Sequence, residues 1–242
     1  LTSSFTRIGG MYRDFYDGWE DDMEFHLQAI AKGVNDSLKL VQKNRIVHER
    51  TQNVCVLSPE TALSYGFTGP CVRASGVPFD LRKDNPYYYY DTFDFTIPLG
   101  STGDIYDRMM VRYEEIFQSI SIIRQAMKRM PGGPVNIKNN RVTLPPKSEV
   151  YNNIEGLASH FKLVFEGVQV PAGEWYDSFE AANGELGFHF VSDGSGQPYK
   201  CKVRPPCFYI MGAFHEMVEG HMIADAVINL GSINIIGGEL DR

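Results

Sequence analysis

Apolar residues recur at helical spacing in several stretches of the chain. From Trp19 to Asn44 they fall every three or four positions, at Met23, Leu27, Ile30, Val34, Leu38 and Val41, which predicts an amphipathic helix. The same period predicts the longest helix from Asp104 to Met130, stopped by Pro-Gly-Gly-Pro. We expect further helices over Ser148–Gly167 and in EGHMIADAVINLG, the latter ending at Gly231.

Capping and turn residues predict the structure between the first two long helices. Ser58 is placed as an N-cap, Pro59 follows at the first helical position, and Gly66 is placed to end a short helix. The stretch 69–100 is dense in Pro and Gly. It predicts an ordered loop with one short strand.

The period changes near residue 174. Two extended, aromatic-rich runs flank Asn183-Gly184, which is a strong signal for a hairpin with a type I′ turn. A third strand is predicted in PYKCKVRPP, so the β region covers about 174–204. The fold class is mainly α with a small antiparallel β element, an α+β helical bundle.

The tail from Gly231 to the last residue is unusually apolar for a chain end. Its apolar residues are Ile233, Ile235, Ile236 and Leu240. They do not continue a helical face, so we expect a buried, irregular tail over 231–242. Several helices are also apolar on more than one face, which indicates that a partner covers them.

Composition excludes some classes of protein. The chain has 242 residues and a net charge of −7, which argues against nucleic-acid binding. No apolar run is long enough to cross a bilayer. We expect a single domain over 1–242. The cysteines have no Cys-x-x-Cys spacing and are predicted to be small buried residues in a reducing compartment: Cys55, Cys71, Cys201 and Cys207.

Two candidate sites have simpler structural interpretations. HEMVEGH places His215 and His221 six positions apart, which is the wrong spacing for a zincin helix, so solvated or capping roles are favoured over a metal site. GSTGDIYD offers Gly-x-x-Gly before a helix, either as an anion site or as a segment capped by Asp104. Capping is favoured, with Asp104 and Arg108 pairing four residues apart.

The run of tyrosines in PYYYYDTF could stack on a ligand, but packing with hydroxyls reaching water or backbone is the commoner arrangement. No nucleophile–base spacing or dinucleotide motif is present. We therefore assign no catalytic residue and no complete active site to this chain alone.

Several long motifs resemble the D subunit of NADH–quinone oxidoreductase, respiratory complex I. The resemblance runs from RIGG at Arg7 to the last residue and is carried by LRKDNPYYYYDTFDFTIPLGSTGDIYDRMMVRYEEIFQSISIIRQAM, HFKLVFEG, VSDGSGQPYKCKVRPPCF, GHMIADAVINLGS and GELDR. It implies a helical bundle like the large subunit of nickel–iron hydrogenases. Only the C-terminal part of the family pattern is covered, so a chain or segment carrying the N-terminal part would complete the fold.

The resemblance also implies a role in the peripheral arm of that complex. The chain would wall a quinone cleft shared with the subunit that carries the terminal 4Fe–4S cluster, while binding no cofactor itself. Hydrogenases hold nickel with cysteine pairs, one near the C-terminus, but here no cysteine lies beyond Cys207. The chain would dock on the membrane arm without spanning it. The matrix side of the mitochondrial inner membrane is favoured over the cytoplasmic face of a bacterial membrane.

Residue by residue, the resemblance implies a quinone-pocket wall formed by Asn183, Gly184, Asn234, Ile236, Gly237 and Arg242. It places Thr2 and Arg7 near the cluster-bearing subunit. Three positions depart from the family: Asn183 stands where Lys is usual, Asn234 where Asp is usual, and Thr2 where His is usual. Two rival functions stay open, namely a structural assembly subunit without a quinone role and a hydrogenase-type enzyme with its own metal.

Overall fold

The computed structural model describes residues 5–241, and Thr2 and Arg242 therefore lie outside the described residues. In chain order the helices are α1 (Trp19–Gln42), α2 (Arg45–Thr51), α3 (Pro59–Ser64), α4 (Pro70–Ala74), α5 (Leu81–Asp84), a 3-10 turn (Tyr90–Thr92), α6 (Ile105–Arg129), α7 (Lys147–Asn152), α8 (Ile154–Phe165), α9 (Pro206–Gly212), α10 (Phe214–Val218), α11 (Ile223–Ile233) and α12 (Gly237–Leu240). The strands are β1 (Thr6–Arg7), β2 (Gly10–Met11), β3 (Gly173–Ala181), β4 (Gly184–Ser192) and β5 (Lys200–Arg204). The predicted fold class, mainly helical with a small antiparallel sheet, is confirmed.

The chain divides into two compact units. The larger unit comprises residues 20–129, 177–187 and 203–241, and it contains the hydrophobic core. The core lies among α3, α4, α6, α9, α10 and α11 and is formed by Cys55, Leu57, Ala62, Phe67, Cys71, Val72, Ile105, Ile210, Ala213, Met217 and Ile233. The expectation of a single domain stays a prediction.

The smaller unit comprises residues 5–19, 130–176 and 188–202. Within that described part only Pro145 and Gly156 are buried. It contains the antiparallel pair β1–β2, in which Thr6 faces Met11, together with α7 and α8. The second sheet has the strand order β3-β4-β5.

The two longest predicted helices are confirmed as α1 and α6. Asp104 caps α6, because its Oδ1 accepts a hydrogen bond from the Asp107 backbone N–H at 2.7 Å. Ser58 caps α3 by accepting from the Thr61 N–H at 3.1 Å, with Pro59 in the first turn. Both start signals were therefore placed correctly.

Four local predictions were wrong. The helix predicted over 148–167 is split at Asn153, whose extended backbone (φ −137°) ends α7 and whose side chain caps α8. The described segment 69–100 contains α4, α5 and the 3-10 turn but no strand. Helix α11 continues through Gly231 to Ile233, where Asn234 ends it in the left-handed region. Cys201 is exposed, whereas the other three cysteines are buried as predicted.

Candidate functional site

The hairpin tip, residues 182–184, packs backbone against backbone on the loop before α4. A Cβ on Gly69 would lie 2.4 Å from the Gly184 Cα, and one on Gly184 would lie 2.5 Å from the Thr68 Oγ1. Gly184 also has φ +131°, which disfavours an L side chain. Glu185 donates its backbone N–H to the Thr68 Oγ1 at 2.9 Å. The tip packs so closely on this loop that only glycine fits at positions 69 and 184.

The predicted type I′ turn is wrong. That turn requires positive φ at both central residues, yet among residues 181–184 only Gly184 has it. Asn183 is instead a buried side chain, 1% exposed. It contributes through its amide, not through a left-handed backbone.

The amides of Asn183 and Asn234 bond reciprocally across the space between the tip and the tail. Asn234 Nδ2 donates to Asn183 Oδ1 at 3.0 Å, and Asn183 Nδ2 donates to the Asn234 backbone carbonyl at 3.0 Å. Asn183 Nδ2 also lies 3.3 Å from the Cys207 Sγ. Asn183 and Asn234 therefore contact each other directly, and the pair they form is neutral.

The C-terminal tail, meaning the described residues 231–241, is partly buried within this chain. Ile233 is fully buried, Ile235 and Leu240 are half-buried, and Ile236 is 45% exposed. The tail is less irregular than predicted, because Gly237 begins the short helix α12. Burial of the exposed part of the tail stays a prediction about the assembled protein.

Helix α12 is held to α9 by a carboxylate. Glu239 Oε2 accepts a hydrogen bond from the Cys207 backbone N–H at 3.0 Å. That N–H belongs to the first turn of α9, where backbone donors lack helical partners and a negative charge is favourable. Burial, together with Glu239, raises the pKa of the Cys207 thiol to about 11. The thiol is therefore neutral at ordinary pH.

A buried cluster of charges in the larger unit joins Glu180 of β3 to side chains of α4, α5 and α6 and to Asp80 just before α5. Arg73, 1% exposed, contacts Glu115 Oε1 at 2.6 Å, Glu180 Oε1 at 2.8 Å and Asp80 Oδ2 at 3.4 Å. Arg82 adds a second contact to Asp80 Oδ2 at 2.6 Å. With three carboxylates and two guanidinium groups, the fully ionised cluster carries an excess negative charge.

The carboxyl groups in this cluster respond differently to burial. Burial raises the pKa of Glu180, and the charge of Arg73 offsets this only in part. Burial also opposes ionisation of Asp80, but hydrogen bonds from Arg82 and the charges of both arginines outweigh it and lower the Asp80 pKa. Burial thus favours the protonated form of Glu180, whereas the arginines favour the ionised form of Asp80.

The tyrosine run is anchored at this cluster. The Tyr87 hydroxyl accepts a hydrogen bond from the Glu180 backbone N–H at 3.0 Å, as the packing interpretation predicts. Burial raises its pKa to about 12. Tyr88 and Tyr89 are 90% and 72% exposed. The first tyrosine of the run therefore fixes the hairpin, whereas the second and third are exposed.

Arg108 does not pair with Asp104 as predicted. Its buried guanidinium donates instead to the backbone oxygens of Gly103 and Cys55 at 2.8 and 3.1 Å. It also donates to Asn229 Oδ1 at 2.9 Å and Ser232 Oγ at 3.0 Å. The four-residue spacing predicted that the Asp104 carboxylate could reach Arg108, but this carboxylate instead caps α6 by accepting from the Asp107 N–H.

Each of the two units contains a cavity. The larger unit has a cavity of about 370 Å³ lined by Thr51, Ile105, Met109, Arg112, Tyr113, Ile116, Ile228, Gly231 and Ser232. The smaller unit has an open cavity of about 1290 Å³, on which Arg7 lies with its guanidinium 4.6 Å from the centre of the Tyr12 ring. The first cavity lies between α6 and α11, beside the start of the tail.

The predicted site residues are thus only partly brought together. Asn183, Gly184 and Asn234 lie close to one another, whereas Gly237 has open space around it and Ile236 faces outward. Arg7 belongs to the smaller unit. Sequence reasoning missed the contribution of Arg112, although its position one turn after Arg108 within an apolar helix face was a usable signal.

The motif HEMVEGH has structural contacts. The Cys55 backbone N–H donates to His221 Nε2 at 3.3 Å, and the Tyr65 hydroxyl donates to Glu216 Oε1 at 2.5 Å. Across residues 5–241, no three His, Cys, Asp or Glu side chains are grouped so that they could hold a metal ion. Over the same residues, no helix is long and apolar enough to cross a membrane.

Comparison with known proteins gives consistent matches over the whole chain. The family described as respiratory-chain NADH dehydrogenase, 49 kDa subunit, matches residues 1–242. The C/D subunit of the NADH-quinone oxidoreductase of Bdellovibrio bacteriovorus is 52% identical over all of this chain and 43% of its own length. The D subunit of Pelobacter propionicus is 52% identical over 60% of its length, and that of Paramagnetospirillum magneticum is 46% identical over 62%.

The chain therefore spans about half of the length of the curated relatives that it matches. The family match covers every residue of this chain. The resemblance inferred from the motifs is confirmed: this chain belongs to the family of the 49 kDa subunit of respiratory-chain NADH dehydrogenase, whose bacterial members are named as the D subunit of NADH-quinone oxidoreductase.

Proposed function

We propose that this chain forms one wall of the quinone-reduction cleft of an NADH–quinone oxidoreductase, next to the subunit that carries the terminal 4Fe–4S cluster. The observation that carries the proposal is the direct bonding of the hairpin tip to the C-terminal tail through Asn183 and Asn234. The family resemblance implies that these two segments belong to the cleft wall, and in this chain hydrogen bonds join them.

In this proposal the protein supplies geometry, while the quinone and the cluster carry the electrons. Next to the bonded amides, Ile236 presents an exposed apolar side chain and Gly237 leaves open space. An apolar wall of this kind suits the flat ring of a quinone. In this proposal the cluster belongs to the neighbouring subunit, and the resemblance implies that Arg7 lies near that subunit.

The proposed partners are the other subunits of the complex, including the part that carries the N-terminal portion of the family fold. Helix α8 supports this because its exposed apolar residues follow helical spacing: Ile154, Leu157, Phe161, Val164 and Phe165. The relatives named above are bacterial, which supports the cytoplasmic face of a bacterial membrane over the mitochondrial matrix side.

A structural assembly role is the second candidate. It is favoured by the neutrality of the Asn183–Asn234 pair, since a pair without charge has less electrostatic influence on a reacting quinone. Both candidates place the chain in the same complex. They differ in whether changes at the tip and tail alter quinone binding or only assembly.

The test is Ile236→Met in the assembled complex, with Ile223→Met as the matched control. Ile236 is 45% exposed at the proposed wall, whereas Ile223 is 91% exposed at the start of α11. We expect Ile236→Met to change the KM for quinone and the inhibitor sensitivity, while the control leaves both unchanged. Wild-type values for Ile236→Met in a fully assembled complex would contradict the cleft role and favour the assembly role.

A further inference from the structure

We propose that Arg112 is a positioning residue for quinone reduction, because it clasps the hairpin tip to the C-terminal tail. The clasp consists of Arg112, Asn183 and Asn234. This inference rests on the proposed function, in which the tip and the tail wall the quinone cleft. It adds a residue from the middle of α6, which acts on the wall through its bonds to the tip and the tail.

The guanidinium of Arg112 contacts three segments at once. Nη1 donates to Asn183 Oδ1 at 3.2 Å and to the Ala182 carbonyl at 3.4 Å, both in the hairpin tip. Nε and Nη2 donate to the carbonyls of Ser232 and Ile233 at 3.4 and 3.3 Å, at the end of α11. Nη2 also lies 3.8 Å from the Cys71 Sγ on α4.

The contacts at α11 explain why a cation is placed here. The last carbonyls of a helix lack intrahelical partners and carry partial negative charge. Arg112 satisfies the carbonyls of Ser232 and Ile233, just before Asn234 turns the chain with φ +53°. The position from which the tail departs is therefore set from α6.

The clasp is closed by the amide pair. Asn183 accepts from both Arg112 and Asn234 through the same Oδ1, at 3.2 and 3.0 Å. Moving the guanidinium therefore moves the acceptor that holds the tail amide. Among the described residues no carboxylate lies within ion-pair distance of Arg112, so its bonding capacity is directed to the tip and the tail.

Only arginine has the geometry for this arrangement. Its planar fork presents five N–H donors in fixed directions, and the five contacts of Arg112 use every nitrogen. Lysine keeps the charge but offers one ammonium group that cannot reach both segments. Arg112→Lys therefore separates the positioning role from the charge.

The experiment uses Arg112→Lys in the assembled oxidoreductase, with Arg124→Lys as the matched control on the same helix. Arg124 is an exposed residue that pairs with Glu24. The readouts are the KM for quinone, kcat, inhibitor sensitivity, and NADH oxidation with an artificial acceptor that bypasses the quinone cleft. We expect the KM of Arg112→Lys to rise about tenfold, equivalent to about 1.4 kcal/mol, with little change in kcat or in the bypass activity.

A double-mutant cycle tests the clasp itself. If Arg112 acts through Asn183, Arg112→Lys combined with Asn183→Ala should raise the KM no more than the larger single change. If the complex with Arg112→Lys does not assemble, the clasp is tested by a cycle between Asn183→Ala and Asn234→Ala. If the clasp holds the tip to the tail, the effects of these two changes on the KM for quinone should be non-additive. Additive effects in the cycle measured would overturn the inference.

The outcomes distinguish this inference from the proposed function. If Asn183→Ala and Asn234→Ala alter the KM but Arg112→Lys does not, Arg112 is not a positioning residue and the cleft role survives. If none of these variants, nor Ile236→Met, alters quinone kinetics in an assembled complex, the cleft role itself fails. A parallel loss of the bypass activity and quinone reduction would mark Arg112 as structural only, which also overturns the inference.

Discussion

Arg73→Met should strongly destabilise the larger unit, because it removes the cation at the centre of a buried charge cluster. Arg73 is 1% exposed and contacts Glu115, Glu180 and Asp80. Removing one partner from a buried ion pair costs about 3–5 kcal/mol, because a charge is left without compensation. Arg82 remains beside Asp80 and limits the loss there. We therefore expect the free energy of unfolding, measured by denaturant titration of the purified subunit, to fall by about 3–5 kcal/mol.

The pH dependence of this loss tests its electrostatic origin. Burial already raises the pKa of Glu180, and losing the charge of Arg73 raises it further. Where the folded protein binds more protons than the unfolded chain, stability falls as pH rises. The deficit should therefore be larger at about pH 8 than at about pH 5, and Arg73→Met with Glu180→Gln should recover part of it.

Arg124→Met is the control, since it removes an exposed pair with Glu24 and should cost much less. A loss for Arg73→Met below about 1 kcal/mol, or one that does not change with pH, would refute the electrostatic reasoning and assign Arg73 a packing role.

Three further changes should have local effects. Gly184→Ala should destabilise the protein by more than about 1 kcal/mol, because the new Cβ would lie 2.5 Å from the Thr68 Oγ1 at a φ of +131°. The control is Gly238→Ala, since Gly238 has open space around it. Equal unfolding midpoints for the two variants would contradict the expectation. Ser58→Ala should cost about 0.5–2 kcal/mol in the same assay, because it removes the N-cap of α3. Alkylation of the native protein should label the exposed Cys201 well before the three buried thiols, and mass spectrometry showing equal rates would disprove that order.

The sequence was informative where structure depends on neighbours along the chain. Helical periodicity located α1 and α6 to within about two residues of their ends. Ser58 and Asp104 were recognised as caps because capping is a contact over three residues. The prediction that Gly231 ends α11 was wrong. Glycine is tolerated inside a helix when the residues after it pack, and Ile233 is fully buried.

The candidate site could not be assembled from local signals. Asn183 and Asn234 are 51 positions apart, and their contact depends on how the hairpin tip packs on the loop before α4. The resemblance flagged both residues, but as two separate departures from the family. The position of Arg112 on α6 could have marked it as buried, but its partners could not be predicted because they lie between 41 and 121 positions away. Tertiary packing, not spacing, creates this site.

The bonds of Arg108 have a consequence for the order in which the chain folds. Its partners Asn229 and Ser232 lie 121 and 124 positions further along. During synthesis the Arg108 guanidinium cannot form these two hydrogen bonds until α11 has left the ribosome. Such distant contacts slow folding and prolong the exposure of unfinished surfaces. A nascent chain of this protein therefore cannot close this core before α11 has been synthesised, and we expect chaperones to bind the larger unit until then.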